Sequence, residues 1–241
     1  MKIFIKKFLK YIRLYNYIGR LYFLIKNKGV FVGSYEFIVL DTINILSNVF
    51  FDLINNINTR GVIEVDELNI AENQKIFANR YQATSCRQLK KSLNFLITRN
   101  EEFDTFIDIG CGKGRPIFYA TKYYPKILNF IGIDISGKII NQAKQNLYNF
   151  RNKNKIYENI IKFMKIDSLE FMFDSNKKYI IFLFNPFDYV YVDEFFKKNF
   201  KLIKKSKSKI IFINELEKST FLKKNYNLIF NDESLSIRIY E

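Results

Sequence analysis

The chain has 241 residues, 48% of them apolar, enough for one sizeable core with an elaborated end. It contains no histidine, which removes His-based triads, imidazole acid–base catalysis and histidine metal sites together. A formal charge of +15, from 39 basic and 24 acidic residues, brings in anionic surfaces and nucleic acid as partners.

Part of that charge lies at the start. Residues 1–28 hold eight basic side chains and no acid, interleaved with Ile3, Phe4, Phe8, Leu9, Ile12, Leu21 and Leu24. The pattern predicts a basic amphipathic helix, packed on the rest of the protein or lying on an anionic surface. Charges interrupt every window of about twenty residues, so no transmembrane span is expected. No uncharged run with a small-residue cleavage site follows, as a signal peptide requires. The expected location is cytoplasmic, with contact at the inner face of the membrane as the peripheral variant. A second apolar stretch, residues 37–51, is broken by Asp41 and two asparagines and is predicted as a packed helix.

Further on, residues 51–68 read F-D-L-I-N-N-I-N-T-R-G-V-I-E-V-D-E-L, then R-Y-Q-A-T-S stands at 80–85. A helix is predicted from Arg87 to Ile97. Residues 106–115, F-I-D-I-G-C-G-K-G-R, are the most informative stretch. An apolar run suited to a buried parallel strand ends at Asp108 and Ile109 and turns sharply through Gly110, Gly112 and Gly114. Pro116 then falls in the first turn of a helix, where proline is tolerated. The spacing is G-x-G-x-G, which differs from the G-x-G-x-x-G of dinucleotide-binding oxidoreductases, although glycine turns after strands also serve nucleotide folds and plain loops.

Three more apolar runs end in polar residues. N-F-I-G-I-D-I at 129–135 ends at Asp134, where an acid on a second strand takes ribose hydroxyls in nucleotide-binding folds. Ser136 is placed to cap the next helix, whose face is Ile139, Ile140, Ala143, Leu147 and Phe150. I-I-K-F-M-K-I-D-S at 160–168 ends at Asp167, and Y-I-I-F-L-F-N-P-F at 179–187 stops at Asn185, Pro186 and Phe187. One such acid alone reads as a solvated strand end; several in register after a glycine turn read as a ligand edge. A helix-like basic run over 190–207, a strand at 209–214 and a terminal hairpin over 227–240 complete the chain. Cys86 and Cys111 offer neither a disulfide framework nor metal spacing, so reduced thiols and no metal are expected.

The glycine spacing, with an acid just before it, resembles motif I of the class I S-adenosylmethionine-dependent methyltransferases. The Thr-x-Gly turn at Thr59–Gly61 and the Tyr-x-x-Thr segment resemble a bacterial branch distantly similar to the non-SET histone-lysine methyltransferases. The resemblance covers residues 51–241. It implies an α/β Rossmann-like seven-stranded sheet, a helical elaboration and lid over 1–100, and a catalytic core over 101–241. It implies S-adenosylmethionine as cofactor, held by Asp108, Gly110, Gly112, Gly114, Asp134 and Asp167, with Asp167 beside the adenine amino group. Tyr81 and Thr84 become lid or cofactor contacts, with Ala83 standing where proline is common. Asn185-Pro186-Phe187 resembles the Asn/Asp-Pro-Pro-Tyr/Phe motif of enzymes that methylate planar nitrogens, with the second proline missing. By that likeness Asn185 orients the acceptor and Phe187 walls its pocket. The alternative is a strand end and turn. The acceptor is left open between protein, small molecule and RNA. An NAD-dependent oxidoreductase and a non-catalytic membrane- or RNA-binding protein on the same fold are the other readings.

Overall fold

The computed structural model describes Tyr22, residues 25–27, 29–35, 42–156, 160–215 and 220–241. The amphipathic segment expected over 1–28 therefore lies almost wholly outside the described residues, as does the start of the 37–51 stretch. The chain divides into two units, Met1–Phe51 and Asp52–Glu241. Helix α1 (Val30–Tyr35) is followed by α2 (Thr42–Ile54). The second apolar stretch is thus helical, but only part of it is covered. Ile43, Leu46, Phe50, Leu53 and Ile54 recur at three- and four-residue steps on one face and are exposed, whereas Phe51 and Asp52 are buried. The helix carries more apolar side chains than one buried face can take.

Strands β1 (Val62–Ile63) and β2 (Tyr81–Gln82) pair antiparallel and bracket a 3-10 turn at Val65–Leu68 and the short α3 (Glu72–Lys75). Helix α4 (Cys86–Ile97) starts one residue before the predicted span. Ser85 caps it, accepting from the Gln88 N–H, while the Gln88 side chain returns to the Ser85 N–H.

Next come β3 (Thr105–Ile109), α5 (Arg115–Tyr123), β4 (Asn129–Asp134), α6 (Gly137–Asn154), β5 (Ile160–Lys165), β6 (Tyr179–Phe184), α7 (Tyr189–Lys205), β7 (Lys209–Ile213), α8 (Phe221–Asn225), β8 (Leu228–Asp232) and β9 (Ile237–Tyr240). They form a seven-stranded sheet in the order β5-β4-β3-β6-β7-β9-β8. The first five strands in that order run parallel, and β9 and β8 close the edge antiparallel, as expected of the terminal hairpin.

Strand β3 is buried at every position, so both faces of the sheet must be covered. Alternation of side chains sets the two layers. Ile107 and Ile109 join Ile181, Leu183, Ile210 and Phe212 in the core beneath Val192, Phe195 and Phe196 of α7. Phe106 points the other way, its ring between those of Phe130 and Phe182 at centroid distances of 6.3 and 5.8 Å. Truncating such a ring to alanine would cost about 3–5 kcal/mol. The core thus fixes β3 between β4 and β6, and the ends of those three strands build the site.

Candidate active site

From β3 the chain moves outward through β4 and β5, then returns to β6 on the other flank of β3. A crevice must open where the direction reverses, outside the carboxyl ends of the strands. A cavity of about 250 Å³ lies there, lined among others by Asp108, Gly110, Asp134, Asp167, Asn185 and Phe187. Tyr81 and Thr84 line it too, although they precede β3 in sequence. Gly112 and Gly114 stand behind its wall and shape the loop.

The glycine loop turns by positive φ at Gly110 (75°) and Gly112 (53°), where a side chain would be strained. Space is lacking as well: a Cβ on Gly110 would overlap Pro186, and one on Gly112 would overlap the Tyr81 ring. The N–H groups of Gly110 and Cys111 both donate to the Ile133 carbonyl at 2.9 Å, which locks the loop onto β4. Gly114 starts α5 with Pro116 in its first turn. The Cys111 thiol is buried and pushed well up, first by burial and then by Asp134 and Asp108, so it is a spacer and not a nucleophile.

The acids differ in what they hold. Asp108 is 1% exposed, and its Oδ2 has no hydrogen-bond partner among the described residues. Burial, then the charge of Asp134, raises its carboxyl well above the usual range. Asp134 accepts from the Gly112 N–H at 3.0 Å and from the Ser136 N–H at 2.9 Å; burial nonetheless raises it. Asp167 accepts from the Leu169 N–H at 2.9 Å and from the Tyr191 hydroxyl. Burial, then that bond, pushes the Tyr191 hydroxyl upward. Ser136 caps α6 as expected, and its hydroxyl donates to the Leu68 carbonyl at 2.5 Å, tying the segment between β1 and β2 to the end of β4.

A buried cluster holds the turn before β1 and the stretch after β2. The Arg115 guanidinium, 3% exposed, meets the Asp52 carboxylate at 3.3 Å, Thr59 Oγ1 at 2.6 Å and the Thr84 carbonyl at 3.1 Å. Asp52 also accepts from the Thr59 N–H and hydroxyl at 2.9 and 2.7 Å. The Tyr81 hydroxyl donates to the Thr59 carbonyl at 2.5 Å, and Lys113 stands 5.1 Å over the Tyr81 ring while donating to the Arg60 carbonyl. Thr59, from the Thr-x-Gly turn, is thus the joint between Tyr81 and Arg115.

At the end of β6, Asn185 has φ 41°, a left-handed conformation uncommon outside glycine. Its carbonyl and its Oδ1 both accept from the Asn79 carboxamide, at 3.1 and 3.2 Å. Residues 77–79 lie antiparallel to this turn, with the Asn79 N–H on the Pro186 carbonyl and the Asp188 N–H on the Phe77 carbonyl. The Phe187 ring is 5.0 Å from that of Tyr191, which is 5.5 Å from Phe77.

Sequence reasoning missed Asp52, Asn79, Arg115 and Tyr191. Asp52 carried a signal, since an acid inside F-F-D-L-I has to find a partner if buried. Arg115, at the start of a buried helix, was its natural complement. Nothing in the sequence pointed to Asn79 or Tyr191, which reach the site only through tertiary pairing.

A chamber with one unpaired buried carboxylate, two further acids and a close-approaching glycine loop suits a ligand bearing an ammonium, a ribose and an amino-substituted ring. Residues 100–236 match the model of a methyltransferase domain family, more than half of the chain, and the chain belongs to that family. It is an enzyme of the class I S-adenosylmethionine-dependent type, and S-adenosylmethionine is its cofactor. The oxidoreductase and non-catalytic readings give way to this one.

Several solved structures are similar to part of the chain. The small RNA methyltransferase HEN1 is 18% identical over 64% of this chain and 25% of that one, with a TM-score of 0.48. The methyltransferase domain of bacterial CtHen1-CN is 14% identical over 64% and 98%, with a TM-score of 0.45. The ribosomal protein L11 methylase of Lactobacillus delbrueckii subsp. bulgaricus is 16% identical over 64% and 77%, also at 0.45. No curated protein sequence matches the chain. Among the described residues no group of three or more His, Cys, Asp and Glu is arranged to hold a metal ion, and no helix is long and apolar enough to cross a membrane.

Proposed function

We propose that the enzyme transfers the methyl group of S-adenosylmethionine to a planar nitrogen that binds at Asn185. One observation carries the reading: the two Asn185 oxygens already accept N–H bonds from a planar amide, that of Asn79, and both residues line the cavity. When bound, the cofactor supplies a methyl carbon on a sulfonium, already a good leaving group. The protein then has to align the nucleophile and exclude water. Asp108 takes the cofactor's ammonium, Asp134 the ribose hydroxyls, and Asp167, with Tyr191, the adenine edge. Gly110, Gly112 and Gly114 give the loop its close approach, and Tyr81 and Thr84 cover it. Phe187 walls the acceptor side. In this division of labour residues 1–100 are elaboration and lid, and 101–241 are the catalytic core.

The test is calorimetric titration with S-adenosylhomocysteine, with NAD as control, followed by a labelled-methyl screen of lysate fractions divided into protein, RNA and small molecules. Asn185→Ala should cut transfer and leave S-adenosylhomocysteine affinity nearly unchanged. Undiminished transfer would sink the role given to Asn185.

A second reading concerns location. The acid-free basic stretch 1–28 and the exposed apolar face of α2 support peripheral contact with an anionic surface at the inner face of the membrane, in an otherwise cytoplasmic protein. Flotation with anionic but not neutral vesicles is the expected result; equal flotation, or none, counts against it.

A further inference from the structure

The two ends of segment 77–84 are held by different physics, and we propose that it opens at the Asn79 end alone, so that the acceptor enters by displacing the Asn79 carboxamide. This rests on the reading of Asn185 as the acceptor's partner. At the far end, the Thr84 carbonyl is bound by Arg115, whose guanidinium is also paired with Asp52, and Asp52 and Thr84 are 0% and 3% exposed. Lifting that end would take a carbonyl acceptor from a buried guanidinium, and a bond to a charged donor costs more to break than a neutral one. Tyr81 is fixed there as well, through Thr59 and against Gly112.

At the near end every bond is neutral and half-buried. The Asn79 N–H reaches the Pro186 carbonyl at 3.3 Å, the Phe77 carbonyl takes the Asp188 N–H at 2.9 Å, and the Asn79 carboxamide spans the two Asn185 oxygens. An incoming N–H donor replaces the bonds that Asn79 gives one for one, and water takes the Asp188 N–H, so the exchange is nearly balanced. Asn185 keeps its strained φ of 41° at this place, as residues do where a side chain must be aimed.

The geometry also selects the acceptor's chemistry. Whatever displaces Asn79 has to present N–H donors to two oxygens held by one residue, as a planar carboxamide or ring-amino group does. When Phe77 leaves with the segment, the rings of Phe187 and Tyr191 become a wall on which such a planar group stacks. Asn79 is then a specificity-determining residue, because its own amide sets the shape of what replaces it.

Residue-resolved hydrogen exchange on the full chain, together with S-adenosylhomocysteine titration, tests this. In the wild type the Asn79 and Asp188 amides should exchange together, at least about tenfold faster than the Thr59 amide beneath Asp52. Asn79→Ala should speed the Asp188 amide about tenfold further and hold S-adenosylhomocysteine affinity within about threefold. Arg115→Lys should lose more than about tenfold in affinity and speed the Thr59 amide instead. If Asn79→Ala costs as much affinity as Arg115→Lys, or leaves the Asp188 amide at its wild-type rate, the segment is one rigid cap and the proposal falls. No binding by the wild type would count against the placing of the cofactor, and the opening at Asn79 would then stand or fall on the exchange rates of the Asp188 and Thr59 amides alone.

Discussion

The two sides of the cavity treat their polar groups in opposite ways. On the cofactor side, at the ends of β3 and β4, charge is buried and left partly unsatisfied: Asp108 Oδ2 has no hydrogen-bond partner among the described residues, and Asp134 spends its bonds on backbone N–H groups. On the other side, at the end of β6, each Asn185 oxygen accepts from the chain's own Asn79. In the proposed division of the site, the cofactor meets a preformed, destabilised seat and the acceptor a seat filled by a neutral stand-in. Affinity then resides on the first side and selectivity on the second.

Removing the buried guanidinium that holds the Thr84 end should give the largest effect. Arg115→Met leaves the buried Asp52 carboxylate without its guanidinium, a loss of about 3–5 kcal/mol. Chemical denaturation should register it as a large fall in midpoint. A variant as stable as wild type would mean that the lid is not held from this end, and the contrast between the two ends would collapse.

Asp134→Ala comes next. It removes the acceptor for two loop N–H groups and for the proposed ribose contact, so S-adenosylhomocysteine affinity should fall by roughly 1.5–3 kcal/mol for each charge-assisted bond lost. Unchanged affinity by calorimetry would place the ribose elsewhere.

Asp108→Asn should separate stability from binding. The folded-state carboxyl is raised, so between the unfolded value of about 3.9 and the folded one the folded chain binds more protons, and stability falls as pH rises through that window. Removing the charge should therefore stabilise the apo-enzyme by about 1 kcal/mol, or roughly 2–4 °C in Tm. The same change should weaken S-adenosylhomocysteine binding about tenfold, since a neutral amide pairs poorly with an ammonium. Wild-type affinity should also drop on acidification as Asp108 takes up its proton, and the variant should lose that dependence. A variant that is less stable and binds as well would reverse the roles assigned here.

How much of this was legible in the sequence follows from which forces are local. Buried strands announce themselves as apolar runs, so β3 to β6, the glycine loop and the acids at the strand ends were all readable in chain order. The terminal hairpin was readable from the alternation of Leu235, Ile237 and Ile239, though the strand proper begins at Ile237 because Glu233–Leu235 forms a 3-10 turn. The lid was not readable as geometry. Its holding bonds join residues far apart in the chain, Asn79 to Asn185 and Asp52 to Arg115, and no periodicity encodes such a pair. The apolar content of α2 was visible, but that Ile43, Leu46 and Phe50 stay exposed was not, because period alone marks a face and never says what covers it.

The smallest expected effect lies in a region that serves neither side of the site. Asp232 ends β8, the edge strand, where Lys91 of α4 pairs with it. Burial alone would raise this carboxyl, but the Lys91 bond, with those from the Ser234 hydroxyl and the Leu235 N–H, outweighs it and holds the group at about 2. The folded value is depressed, so its stabilisation is full above the unfolded value of about 3.9 and is lost as pH falls toward about 2. Lys91 is half-exposed, and solvent screens the pair, so Lys91→Met should cost only about 0.2–1 kcal/mol at neutral pH. Thermal melts should show a loss of no more than about 4 °C, shrinking in high salt and in strong acid. S-adenosylhomocysteine affinity should not move at all. If it did, the sheet edge would be coupled to the cavity through α4, which begins just after Thr84, and the contrast drawn between the two sides of the site would have to include a third.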